Sequence, residues 1–260
     1  MYTHKDIFYK IDEVREILID KGYNVYYIGL YGSQNYGIDT EASDLDFKAI
    51  ILPSLRMLVD NSKELSKVYE FTWWQVEIKD IRNYVDSCVK VNVNFLEILS
   101  TSYYWASDES SACQFRNFFA PLLDEQGIIY LRACKGMIEQ KRHALRHPFP
   151  NKIKVLEEFG YDPKQLCHIF RLRILMIRYI RWDYSFLHDG TERDLLMELK
   201  KVRHSASYVD AIVEAQLKMA DSIINKYTKL PQFGAKECLI QFSRDLIYNS
   251  ILWTPLTTLA

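Results

Sequence analysis

The run GLYGSQNYGIDTEASDLDFKAI, residues 29–50, decides the fold. The stretch that leads into it, NVYYIGLYGS from 24 to 33, is β-branched and aromatic. It reads as a strand entering a turn at Gly32-Ser33. SDLDFKAIILPS, 43–54, reads as a second strand that stops before Pro53. Between them lies a short polar turn, QNYGIDTEAS. Strand side chains alternate between faces, so Asp44 and Asp46 share one face, while Leu45 and Phe47 take the buried one. Two carboxylates that close repel each other unless a cation lies between them. A divalent ion suits them, since Mg²⁺ is held by one or two carboxylates plus substrate phosphate oxygens. Gly32-Ser33 sits where a strand turns toward a helix. Such a turn offers backbone N–H groups to an anion, and glycine lets a phosphate approach closely. Ser33 adds a hydroxyl. A lone D-x-D or G-S is common, but the two in this order, on adjoining strands, form one corner with a phosphate cradle and a metal-binding pair.

Upstream of this run, Thr3 can cap a helix that continues to about Lys21 and stops at Gly22. Ile7, Ile11, Val14, Ile17 and Leu18 keep helical spacing along it. Downstream, KVYEFTWWQVEIKD (67–80) reads as one or two strands, with one of Trp73 and Trp74 buried and the other half exposed and open to base stacking. Asp80 can cap the next helix, IRNYVDSCVKV, and NFLEIL adds a helical turn or more. Beyond about residue 103 the pattern becomes helical, over 124–146, 163–183, 191–203, 206–229 and 235–252. Pro148, Pro150, Gly160, Gly190, Pro231 and Gly234 punctuate it. The expected division is 1–102 for the α/β module and 103–260 for a helical domain.

The net charge of −1 excludes a globally basic nucleic-acid coat but leaves room for a local basic groove. The most basic stretch is KRHALRHPFPNKIK, 141–154, a candidate contact for an RNA or DNA backbone and equally a solvated helix end. The five cysteines are scattered, without a C-x-x-C pair, as expected for reduced thiols in the cytoplasm. No His/Cys set has zinc-ligand spacing. MYTHKDIFYKIDEVREIL mixes charge into its apolar pattern and reads as neither signal peptide nor membrane span, so no membrane partner is expected.

Gly32-Ser33, a ten-residue spacer, and Asp44-Leu45-Asp46 together resemble the signature of the DNA polymerase β-like nucleotidyltransferase superfamily. Tyr36, Gly37, Thr40 and Ser43 bring the run closer to the group of predicted nucleotidyltransferases called RlaP or YcgL-like. KVNVNFLEIL, through Lys90, Asn92, Asn94, Glu97 and Leu99, resembles that group as well. So does GYDPKQLCHIFRL, through Gly160, Tyr161, Asp162, Lys164, His168, Arg171 and Leu172. The resemblance covers about 28 to 175. It implies an α+β fold, a small mixed sheet flanked by helices and followed by an all-α domain. It also implies transfer of a nucleoside monophosphate from a nucleoside triphosphate to a hydroxyl of RNA, another nucleic acid, a protein or a small molecule.

By the same resemblance, Asp44 and Asp46 ligate Mg²⁺ or Mn²⁺, while Gly32 and Ser33 hold the β- and γ-phosphates. A third carboxylate comes from a neighbouring strand. Glu77 lies between Val76 and Ile78 on the polar face and is the first candidate; Asp80, at a helix start, is the second. Lys48, two residues after Asp46, either pairs with triphosphate oxygens or neutralises the aspartates. Lys164, His168 and Arg171, four and three apart, share one helix face and either meet the nucleotide or acceptor or form a solvated face around a core histidine. Two further functions compete with transfer: a nucleotide-binding regulator without turnover, and a partner-binding module of the toxin–antitoxin type.

Overall fold

The computed structural model describes residues 2–62, 66–147, 153–228 and 233–252. The chain divides into two compact units, Met1–Glu125 with Gln232–Ala260, and Gln126–Pro231. The boundary expected after residue 102 falls inside the first.

In the first unit, α1 (His4–Asp20) begins with a capping box. The Thr3 hydroxyl accepts from the Asp6 N–H, and the Asp6 carboxylate accepts from the Thr3 N–H. Gly22, at φ +81°, turns the chain out of the helix. β1 (Asn24–Tyr31) leads into a single turn, α2 (Gly32–Asn35), and then β2 (Leu45–Leu52). α3 (Leu55–Val59) follows, and β3 (Lys67–Glu70) and β4 (Trp74–Asp80) resolve the expected one or two strands into an antiparallel pair. Asp80 caps α4 (Ile81–Val89), accepting from the Arg82 N–H at 2.8 Å. α5 (Val93–Leu96) runs into a 3₁₀ turn, Glu97–Leu99, before β5 (Tyr104–Ala106), α6 (Glu109–Arg116) and α7 (Phe119–Glu125).

The five strands form a mixed sheet in the order β3-β4-β2-β1-β5, with β2 and β4 parallel and the other pairs antiparallel. The expected α+β class holds. One face carries Ile28, Leu30, Leu45, Phe47, Ala49, Val76 and Ile78 against Ile7, Ile11, Val14 and Leu18 of α1. Each of the larger aliphatic and aromatic side chains here contributes roughly 1.5–3 kcal/mol when fully buried. With this face sealed, the strand positions between these residues must turn to the opposite face, and there the polar groups collect.

The second unit is helical: α8 (Gly127–Ala144), α9 (Ile153–Phe159), α10 (Pro163–Ile180), α11 (Gly190–Lys201) and α12 (Ala206–Lys226). α10 is its centre, packing on α8, α11 and α12. The stretch 124–146 is two helices rather than one, since α7 ends at Glu125. At the start of α8 the hydroxyls of Tyr179 and Tyr227 occupy the space a Cβ on Gly127 would need. α13 (Ala235–Leu252) belongs to the first unit: it packs on α4, α7 and β2, and Phe242 stacks on Phe115 at 6.0 Å. The expected breakers Pro148, Pro150 and Pro231 lie outside the described residues. Among the described residues no helix is long and apolar enough to cross a membrane.

Candidate active site

The polar face of the sheet is built on register. Tyr31 of β1 stands beside Asp46 of β2, and Asp46 stands beside Gln75 of β4. One step along, Lys48 lies between Gly29 and Glu77. These positions share a face because each is two residues from the next. Gly32 closes β1 at φ +77°, a conformation open to glycine. A Cβ there would collide with Oδ2 of Asp46. Glycine is therefore required twice, by backbone angle and by the carboxylate laid against it. Ser33 follows, half buried, and its carbonyl accepts from the Ile38 N–H at 3.1 Å. The turn Gly32–Asn35 is four residues long, so it brings individual N–H groups and a hydroxyl to the corner rather than a helix dipole.

Asp46 is half buried, and Oδ1 accepts from Gln75 Nε2 at 2.7 Å. Asp44 stands exposed just before β2 begins. Its approach is shaped by a closed loop, in which the Thr40 N–H donates to Ser43 Oγ at 2.9 Å and the Ser43 N–H to the Thr40 carbonyl at 2.9 Å. The two acids therefore differ in environment: one is fixed at the cradle, the other faces water.

Lys48 is buried. Its Nζ lies 3.3 Å from Glu97 Oε1, 3.9 Å from Glu77 Oε2 and 3.2 Å from the centroid of the Tyr31 ring. Burial pushes the ammonium below its usual range, while Glu97, Glu77 and Asp46 pull it back up. Glu97 is itself buried and accepts a short hydrogen bond from the Tyr36 hydroxyl. Burial, together with Asp46, Glu77 and Glu97, raises the Tyr31 phenol well above its ordinary range. The corner is thus acidic overall, with Lys48 as the cation threaded through it.

Of the two candidates for the third carboxylate, Glu77 lies on this face and Asp80 on the other. Glu77 accepts from Ser66 Oγ at 3.0 Å and lies 3.4 Å from Lys79 Nζ. Asp80 is fully buried, caps α4 and pairs with the Arg82 guanidinium at 2.5 Å. Among the described residues no group of three or more His, Cys, Asp or Glu side chains is arranged to hold a metal ion. Asp46 lies against the Gly32 turn and Asp44 stands two residues before it, and two such carboxylates are chemically suited to a Mg²⁺ whose other ligands come from substrate phosphates.

Sequence reading passed over several members of this corner, Tyr31 among them. Tyr36 and Glu97 stood inside the motif stretches without a role, and Gln75 was not singled out. The α10 trio lies in the second unit, with Arg171 buried, His168 half buried and Lys164 exposed. Trp74 is 6% exposed and Trp73 65%, which separates the two tryptophans as expected. In the basic stretch, Arg142 pairs with Glu214 at 3.7 Å and Arg146 with Asp210 at 2.8 Å. Residues 148–152 of that stretch lie outside the described residues.

No family model matches the sequence, and no curated protein matches it. Among solved structures, a nucleotidyltransferase-like protein from Exiguobacterium sibiricum 255-15 is similar over 95% of this chain and 81% of that one. The two are 9% identical, with a TM-score of 0.33.

Proposed function

We propose that this chain is a metal-dependent nucleotidyltransferase, which moves a nucleoside monophosphate from a nucleoside triphosphate to a hydroxyl acceptor and releases pyrophosphate. One observation carries the reading: the Asp46 carboxylate lies directly against the Gly32 turn, beside Ser33 and two residues from Asp44. This contact supports a reading in which the turn serves as a phosphate cradle beside the carboxylate pair. The Gly32 and Ser33 N–H groups and the Ser33 hydroxyl hold the terminal phosphates. Asp44 and Asp46 would hold Mg²⁺ or Mn²⁺, which supplies charge stabilisation at the attacked phosphoryl group. The acceptor oxygen forms a bond to the α-phosphorus as the bond to pyrophosphate breaks, and Glu77 takes the hydroxyl proton. Lys48 and Glu97 brace Glu77 and the cradle from beneath. RNA or a protein side chain is the acceptor class favoured by the motif resemblance.

The test is incubation with Mg²⁺, each labelled nucleoside triphosphate, and RNA or protein acceptors, with pyrophosphate release as the readout. Asp46→Asn removes a ligand worth several kcal/mol at the transition state, so release should fall on the order of 10³-fold. Its circular dichroism should stay that of the parent, since removing one of two neighbouring carboxylates relieves repulsion. Parental turnover in Asp46→Asn would contradict the assignment.

A second reading, a nucleotide-binding regulator without turnover, is favoured by a specific feature. Glu77 is engaged by Lys48, Lys79 and Ser66, and the residue directly across from Asp46 is the neutral Gln75. Saturable triphosphate binding with no pyrophosphate from any acceptor would select it.

A further inference from the structure

The two tryptophans at the start of β4 stand in opposite environments. Trp74 is 6% exposed, edge-on to Phe47 with ring centroids 6.4 Å apart and stacked on Phe71 at 3.8 Å. Trp73 is 65% exposed. Its backbone still belongs to the sheet. The Leu45 N–H donates to the Trp73 carbonyl at 3.1 Å, and Leu45 stands beside Trp74 in the parallel register of β2 and β4. Leu45 and Trp74 both pack into the core. Strand side chains alternate, so Asp44 and Trp73, each one residue earlier, take the other face, that of Asp46 and Gln75. Both are exposed there. An exposed indole thus stands across the ladder from the exposed acid.

The strand order sets out a sequence of chemistries. β1, β2 and β4 are neighbours in the sheet. β1 ends in the Gly32 turn, β2 carries Asp46 with Asp44 just before it, and β4 carries Gln75 with Trp73 just before it. Adjacent strands lie roughly 5 Å apart, so about 10 Å of sheet separates the turn from Trp73, with the two acids between. A nucleoside triphosphate has the same order: terminal phosphates, then the α-phosphate, then sugar and base. We infer that Trp73 is the stacking platform for the base of the triphosphate, an inference that rests on the reading of the Gly32 turn as the phosphate site. An indole left in water keeps a large apolar face hydrated, and a base laid on it removes that face from water. Such stacking tolerates any base, because every base has a π-face. Trp73 therefore supplies affinity for a nucleoside as a class, and discrimination among bases falls to other groups.

The experiment measures binding to the full chain by calorimetry, with Mg²⁺ present. One arm uses α,β-methylene ATP, whose bridging carbon blocks transfer, a second inorganic triphosphate, and a third a short single-stranded RNA. The parent should bind the nucleotide about tenfold or more tightly than inorganic triphosphate, the scale of one base–aromatic stack. Trp73→Ala should bind inorganic triphosphate as the parent does and lose that preference, while Trp73→Phe should keep part of it. Trp182→Ala removes an indole that is 61% exposed in the second unit, and should leave both affinities as they are. Where transfer occurs, Trp73→Ala should raise the KM for the triphosphate more than it lowers kcat. A parent that releases no pyrophosphate yet shows the Trp73-dependent preference would sink the transfer reading and leave this inference standing. Parental preference in Trp73→Ala, a parent that binds the two compounds alike, or a loss confined to the RNA would each overturn it. A parent that binds neither compound would overturn it together with the phosphate site.

Discussion

The two units treat buried positive charge in opposite ways. In the first, Lys48 lies between Glu97 at 3.3 Å and Glu77 at 3.9 Å, with the Tyr31 ring against it. Its charge is answered within the resting protein. In the second, the strongest electrostatic neighbours of His168 are cations. The first arrangement fixes geometry: Lys48 and Glu97 tie β2 to the 3₁₀ turn at Glu97–Leu99, while Asp44 stands exposed just before the strand. The second, together with burial, holds the imidazole neutral. An ion pair closed from two sides and a histidine kept neutral by burial and nearby cations differ in what a mutation or a pH change does to stability.

The largest expected effect on stability separates them directly. Glu97→Gln leaves Lys48 buried beside a weaker partner, and breaking a buried pair from one side costs about 3–5 kcal/mol. Urea unfolding should show a loss of that order. Lys48→Met combined with Glu97→Gln should recover most of it, because no buried charge is then left without its partner. If the two single-variant losses simply add in the double variant, Lys48 and Glu97 are not the unit described here.

A smaller effect, confined to the second unit, appears with acid. His188 is buried and its Nδ1 lies 3.1 Å from Glu192. Burial pushes the imidazole down to about 4, with Arg171 and Arg178 acting against the pull of Glu192. Its folded value lies below its unfolded value, near 6.5. The unfolded chain therefore binds the proton first. The contribution is complete above about pH 6.5 and is lost as pH falls toward 4. Over that window about 3 kcal/mol of stability is at stake, roughly 1.4 kcal/mol per unit. His168, also held neutral, acts in the same direction. Unfolding measured at pH 7, 5.5 and 4.5 should show the fall, and His188→Leu should flatten it. An unchanged slope in that variant would remove His188 from the account.

What the sequence made legible was local. Thr3 as a cap, Gly22 as a stop, Asp80 as the start of α4, and Leu45 and Phe47 facing the core all depend on neighbours within a few residues. Lys164, His168 and Arg171 were legible as one helix face for the same reason. Lys141 and Lys200, whose charges also act on His168, were not, because they lie on other helices, 23 residues before Lys164 and 29 after Arg171. In the first unit the parallel register of β2 and β4 decided which residue stands beside Asp46, and nothing local in QVEIKD reveals it. Glu97 reaches Lys48 across 49 residues of sequence. α13 returns to the first unit because Phe242 and Leu239 bury there, which its helical periodicity alone does not show.

The smallest expected effect on activity bears on the third carboxylate. Asp80 is tied to α4 by the Arg82 N–H at 2.8 Å and to the Arg82 side chain at 2.5 and 2.9 Å. It also sits on the sheet face turned away from Asp46, since β4 alternates and Gln75, Glu77 and Lys79 take the polar side. Asp80→Asn keeps a capping oxygen but weakens the ion pair, so it should cost about 1.5–3 kcal/mol of stability, the value of a hydrogen bond to a charged group. Transfer by the folded fraction should stay within about twofold. Glu77→Gln has the opposite signature. Its stability should change little, because Lys48 keeps Glu97, while pyrophosphate release should fall on the order of 10²-fold or more, the scale of a lost general base. If Asp80→Asn abolishes release and Glu77→Gln does not, the acid that serves the corner is the buried cap, and the register-based assignment of the polar face to chemistry fails with it.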